Sequence, residues 1–158
     1  MSEEKRCWLD PEDVTPRKGS IYPAPFDAPV AGREKRALGD ALGLTQFGVN
    51  LVTLPPGAWS SQRHWHANED EFVYVVEGEV TLVTDAGEQI LGPGMAAGFP
   101  AGRPDGHHLI NRTKTPVIYL EVGTRAAVEQ AQYSDIDMKA RKDGGTFVFT
   151  HKNGDPYP

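Results

Sequence analysis

The side chains best suited to chemistry fall in two short stretches. One is His64-Trp65-His66-Ala67-Asn68-Glu69-Asp70-Glu71, and the other is His107-His108-Leu109-Ile110-Asn111. Of the 5 histidines in the chain, only His151 lies outside them. Side chains alternate across an extended segment, so a strand through residues 62–66 sends His64 and His66 to one face. Trp65 then points the other way, into packing. Two imidazoles on one face are placed to share a cation. Glu71 opens the apolar run Phe72–Val76. A carboxylate at the edge of a buried strand is costly to desolvate unless a partner compensates it. A cation held by the two histidines would be such a partner. The competing reading puts Glu69, Asp70 and Glu71 in an exposed acidic turn with surface histidines beside it. In the second stretch His107 is preferred to His108 because it shares strand parity with Leu109 and Asn111. The alternative is that one or both histidines cap a loop after Gly106.

The elements that must position these residues read as strands. Val49–Leu54 ends at Pro55-Pro56-Gly57, a turn signal. Phe72–Val76 and Val80–Thr84 flank Glu77-Gly78-Glu79, and Asp85-Ala86-Gly87 marks the next turn. Gln89–Leu91, Met95–Phe99, His107–Asn111 and Val117–Val122 follow, punctuated by glycine and proline. Strands at this spacing predict an all-β sandwich or barrel over residues 46–124. Residues 1–45, with Pro23-Ala24-Pro25-Phe26-Asp27-Ala28-Pro29, are expected to form an arm along its outside. Proline at that density excludes a regular helix and a central strand, leaving one short helical turn around Arg33–Leu42. Residues 125–158 are expected to dock on the barrel as an extension. It would hold a short helix at Ala126–Gln132, a β-run at Thr146–Thr150 and the aromatic residues Phe147, Phe149 and Tyr157. No internal repeat or low-complexity tract interrupts this plan.

The two chemical stretches, taken with their glycines, resemble the two motifs of the cupin superfamily. Gly57, His64, His66, Glu71 and Gly78 follow the first motif, with six residues rather than five between Gly57 and His64. Gly94, Pro100, Gly102, His107 and Asn111 follow the second, with four residues rather than two between Gly102 and His107. The blocks RHWHANEDEFVYVVEGE and FPAGRPDGHHLINR, and the tail THKNGDPY, are similar to small bacterial single-domain cupins without an assigned activity. The resemblance implies a double-stranded β-helix, a jelly-roll-like barrel, with His64, His66, Glu71 and His107 holding one divalent metal ion. It implies backbone roles for Gly57, Gly78, Gly94 and Gly102, where a positive φ or a close approach is required, and a structural role for Asn111. Three imidazoles and one carboxylate suit Fe, Mn, Ni, Cu or Zn.

Composition narrows the partners. The chain of 158 residues is long enough to bury roughly 70% of its unfolded surface without staples. A net charge of -6 argues against general nucleic-acid binding. The basic runs Arg33–Arg36 and Lys139–Lys142 read as solvated faces. The lone Cys7 and the absence of a signal-like or membrane-length apolar run lead us to expect a cytoplasmic protein. A small-molecule ligand and a homodimer formed through a sheet edge are the expected partners. The function classes that follow are a metal-dependent enzyme of oxygenase or isomerase type, a non-catalytic binding or regulatory module, and a structural metal site. Arg63 and Arg103 are the nearest candidates for anchoring a substrate. Tyr119 and Glu121 could reach the mouth of the pocket or serve in packing, whereas Tyr74, opposite in parity to Glu71, should face a second sheet or a partner subunit and not the metal.

Overall fold

The computed structural model describes residues 6–158. In chain order the strands are β1 (Arg17–Lys18), β2 (Glu34–Ala37), β3 (Phe47–Leu54), β4 (His64–His66), β5 (Glu71–Glu77), β6 (Val80–Thr84) and β7 (Gly87–Leu91). They continue as β8 (Ala96–Phe99), β9 (His108–Ile110), β10 (Val117–Thr124), β11 (Val128–Tyr133), β12 (Lys139–Asp143) and β13 (Val148–Thr150). A single helical turn, α1 (Leu38–Ala41), follows β2.

All pairings are antiparallel. One wall is the sheet β1-β2-β3-β10-β5-β8. The other is made of β13-β12-β11-β4 and β7-β6-β9, which backbone bridges between His64 and His107 and between Trp59 and Ile110 stitch together. Alternation explains what lies between the walls. Val73 and Val75 of β5, Val52 and Leu54 of β3, and Val117 and Tyr119 of β10 point inward and are buried with Val80, Leu91 and Leu109. Each such side chain contributes about 1.5–3 kcal/mol by leaving water. Phe72, Tyr74 and Val76, one residue out of phase, stand exposed on the outer face. Tyr74 therefore faces outward, as its parity requires.

Gly57, Gly78, Gly94 and Gly102 all have positive φ. Gly78 needs its missing side chain twice over, since a Cβ there would stand 2.7 Å from the carbonyl of Pro116. Asn111 is structural: fully buried, its amide donates to the carbonyls of Leu54 and Thr115 at 2.8 Å each.

The flanking segments depart from the expectations. Ala126–Gln132 is not helical; β11 occupies Val128–Tyr133, paired to β12 and β4. Glu129, Ala131 and Tyr133 alternate inward there, and a buried carboxylate in first place disguises the period of two. Neither basic run is merely solvated. Lys139–Lys142 lies within β12, with Ala140 buried and Lys142 paired to Glu69 at 3.1 Å. In the other run, residues 34–37 form β2, which adds to the edge of β3, so the helical turn is confined to α1. A second cluster, Tyr133, Met138 and Ala140 with Tyr22, Phe26, Phe147, Phe149 and Tyr157, fastens arm and tail to each other beside the barrel.

Candidate metal centre

β4 enters the barrel wall between β11 and the segment before β9. Tyr133 pairs with His64 and Ala131 with His66, while the backbones of His64 and His107 exchange hydrogen bonds of 3.2 and 2.9 Å. This fixes His64 and His66 on the inner face, and Trp65 turns away from them toward a separate cavity. Glu71 heads β5, paired to Phe99 on one side and Gly123 on the other, so its carboxylate crosses the interior toward the histidines.

The side chains converge. His64 Nε2 lies 3.0 Å from His66 Nε2, and Glu71 Oε1 lies 3.1 Å from His66 Nε2 and 3.9 Å from His64 Nε2. His64, His66 and Glu71 each offer a ligand atom within 4.8 Å of the others. His107 stands one step outside this triad, its Nε2 in contact with the second carboxylate oxygen of Glu71. Phe99 stacks on the His107 ring, with centroids 3.6 Å apart and planes 2° from parallel, and holds it there. His108 does not join. Its Nδ1 bonds the Ser61 carbonyl at 3.0 Å, and its ring meets Trp59 edge-on.

The electrostatics follow from this crowding. Burial alone would raise the Glu71 pKa, but the imidazoles gathered round it, His107 and His66 in contact and His64 at 3.9 Å, outweigh it and hold the carboxyl well below its ordinary range. Burial disfavours a charged His66, yet the hydrogen bond and charge of Glu71, with Glu129 and Glu69 behind, raise its pKa. In His107 burial prevails over the pull of Glu71, and the pKa is lowered.

The donor set fits one divalent ion. His64 Nδ1 donates to the Gln62 carbonyl at 2.7 Å, which leaves the Nε2 lone pair free to face inward. Adjacent ligands around an ion with bonds of about 2.1 Å stand roughly 3 Å apart, close to the 3.0 and 3.1 Å separations at His66. A second group close enough to share a cation, His66 with Glu69 and Glu129, is of another kind. The Glu129 carboxylate is committed to the backbone N–H groups of Ala67, Asn68 and Gln130, at 2.7–3.1 Å.

The cluster sits between two cavities. One, of about 200 Å³, is lined by Tyr22, Arg33, Tyr119, Glu121, Tyr133 and Phe149 among others; the second, of about 280 Å³, by Trp65, Leu82, Thr84, Ala97 and Arg103. Arg63 is not available as an anchor: it donates to Asp135 through Nε and NH2 at 2.9 Å each, to the Gly106 carbonyl at 3.1 Å, and to Asp85. Arg103 is exposed at the second cavity. The cationic residues that do line the first cavity, Arg33 and Lys35, come from the arm. Sequence reasoning missed them because their charge run looks like a solvated face; Pro29, whose carbonyl accepts from the Trp59 N–H at 2.9 Å and ties the arm to the barrel, was the available hint.

A family model described as a cupin domain matches residues 50–123. The structure of a sugar phosphate isomerase from a cupin superfamily, from Silicibacter pomeroyi, is 51% identical, with 96% of each chain covered and a TM-score of 0.92. A protein of Acidithiobacillus ferrooxidans, provisionally named a sugar phosphate isomerase, is 27% identical over 81% of each chain, with a TM-score of 0.73. The polyketide cyclase RemF of Streptomyces resistomycificus shares the fold, at 24% identity over 74% of this chain and 78% of its own, with a TM-score of 0.59. No curated protein matches the chain. Among the described residues no helix is long and apolar enough to cross a membrane.

Proposed function

The chain belongs to the cupin superfamily, and from that premise we propose that His64, His66, Glu71 and His107 hold one divalent cation in a small-molecule enzyme of isomerase type. The observation that carries this reading is the meeting of three imidazoles and one carboxylate on the wall of a cavity of about 200 Å³. The name of the Silicibacter pomeroyi relative supports the isomerase class over the oxygenase class. A bound cation would supply Lewis acidity toward a substrate carbonyl or hydroxyl oxygen.

The chain's own residues would do the rest. Among the described residues Glu121 is the one carboxylate besides Glu71 in the lining of this cavity, and Lys35 Nζ holds its Oε2 at 3.1 Å. We assign it the movement of a proton between neighbouring substrate carbons. Tyr22 and Tyr133 are held un-ionised, because burial pushes both pKa values up. They offer hydroxyl groups for orientation without adding charge. Phe147, Phe149 and Phe99 exclude water from the walls.

The decisive test has two parts. Elemental analysis after supplementation with Mn, Fe, Ni, Cu and Zn should find close to one ion per chain, and His64→Ala with His66→Ala should abolish it. Incubating the loaded protein with small sugar phosphates in deuterated water should then exchange a carbon-bound proton, read by NMR, and Glu121→Gln should stop the exchange. A protein that takes up no metal removes the site. One that takes up metal and exchanges no proton with any substrate is a binding module. A cytoplasmic homodimer completes the proposal. The exposed apolar residues Phe72, Tyr74 and Val76 on the outer face support the homodimer, and light scattering that gives the mass of a monomer at micromolar concentration would rule the homodimer out.

A further inference from the structure

Arg33 is a cation without a counter-charge. Its NH1 donates to the Ser60 carbonyl at 2.7 Å and its NH2 to the Gly19 carbonyl at 2.8 Å. These two bonds leave most of the guanidinium fork unspent, and its buried Nε–H has no partner. The other charged side chains in the cavity lining are matched. Lys35 is paired with Glu121, and Glu71 is turned to the histidines. Arg33 forms no ion pair among the described residues. Its neighbours in the cavity, Tyr22, Tyr119 and Tyr133, are neutral hydroxyl groups. A partly buried cation facing a cavity without a compensating anion is a costly arrangement, which an anionic ligand in the cavity would relieve.

Taking this cavity as the substrate chamber, as proposed above, we propose that Arg33 anchors an oxyanion group of the substrate, a phosphate monoester or a carboxylate. The planar fork matches either group with paired N–H···O bonds. Arg33 and the His/Glu cluster line the same chamber, so a molecule held at its anionic end by Arg33 presents its other oxygens to the cluster. About 200 Å³ is below the ~300–1,000 Å³ typical of drug-sized ligands. The ligand is therefore small as well as anionic. β2 begins one residue after Arg33, and its pairing with β3 sets that residue against the barrel, so the arm is part of the specificity-determining wall.

The test uses chelator-stripped, full-length protein and two probes, inorganic phosphate and acetate, titrated separately. Arginine side-chain NMR should show the Arg33 Nε–H resonance shifting saturably with at least one probe, while that of the ion-paired Arg63 stays in place. A response to phosphate alone identifies a phosphate ester, and a response to acetate alone identifies a carboxylate. Arg33→Gln should weaken binding of that probe by about tenfold or more, with metal content unchanged. Arg33→Lys, which keeps the charge without the fork, should restore part of it. If Arg33→Gln does not fold, the wild-type titration decides. An Arg33 resonance that responds to neither anion overturns the anchor whatever the metal content. A protein that binds the anion at Arg33 yet takes up no metal upholds the anchor and overturns the metal reading alone.

Discussion

Glu71 and Glu129 are two buried carboxylates on strands of one barrel, and they are neutralised in opposite ways. Glu129 has no exposed surface and, among the described residues, accepts only from backbone N–H groups, those of Ala67, Asn68 and Gln130. Its partners are fixed and cannot titrate; Ala67 and Asn68 belong to the loop that leaves β4, and Gln130 is its neighbour in β11. Glu71 keeps 19% of its side chain exposed to a cavity and faces imidazoles that can gain or lose protons. The Nδ1 atoms of two of those imidazoles, His66 and His107, are buried without partners. A carboxylate answered by rigid backbone dipoles holds a chain in place; one answered by titratable rings beside a cavity is prepared for exchange with a ligand. Proximity alone ranks the two groups together. The nature of the partners separates them.

Glu129→Ala is the harshest way to break that contrast. It leaves the N–H groups of Ala67 and Asn68 without their acceptor, at a cost of roughly 2–4 kcal/mol. Thermal denaturation should show a Tm lower by on the order of 10 °C, with metal uptake impaired because β4 is displaced. Glu71→Gln should do the reverse. In chelator-stripped protein the amide still accepts from one imidazole, so stability should fall by only about 1 kcal/mol. Metal content at limiting supply should drop at least tenfold. Equal losses of Tm in the two variants would erase the distinction between a structural and a functional carboxylate.

The convergence of His64, His66 and Glu71 was legible in the sequence, and the backbone-held Glu129 was not. A His-x-His pair declares its common face through the two-residue period of a strand, and Glu71 declares its burial through the apolar run behind it. The glycines of the turns are as readable, since Gly78 tolerates no side chain beside Pro116. Glu129 gave no such signal. Its alternation partners are Ala131 and Tyr133, and an inward carboxylate reads as outward until the backbone donors that satisfy it are located. Arg33 stayed hidden for a related reason. Whether a charged run is solvated or faces a cavity depends on which strand it pairs with, and β2 pairs across a turn and a helical segment that local pattern does not resolve.

Proton titration sharpens the contrast further. In chelator-stripped protein, NMR of the histidine rings should place His66 above the usual ~6.5 and His107 below it, in the directions Glu71 and burial impose. The sign for His66 is that of a group whose folded pKa is raised. Its contribution to stability is fully present below ~6.5 and is lost as pH rises through the folded value. His107, with a lowered pKa, costs stability as pH falls below ~6.5. Glu71→Gln should bring His66 back toward ~6.5, and an unmoved His66 would mean that Glu71 does not set its charge. In loaded protein the dependence for His66 should invert, because metal ligands must be deprotonated and uptake rises with pH.

Asp135 supplies the mildest case, a carboxylate paired with an arginine and open to water. Arg63 donates to both of its oxygens at 2.9 Å, yet the Asp135 side chain is 57% exposed. The Arg63 hydrogen bond holds its pKa below the ordinary range against a small opposing effect of burial. Its contribution to stability is therefore present above the unfolded value of ~3.9 and is lost as pH falls through the folded one. Solvent screening limits it: Asp135→Asn should cost no more than ~1 kcal/mol, and less in high salt. The same Arg63 bonds the Gly106 carbonyl, next to His107. A small fall in Tm with unchanged metal affinity would make the clamp purely structural. A metal affinity that fell by more than the stability would mean that Asp135, through Arg63, positions His107. A carboxylate held by a fixed cation would then matter to the site, and titratable partners would not be what separates the carboxylates that do.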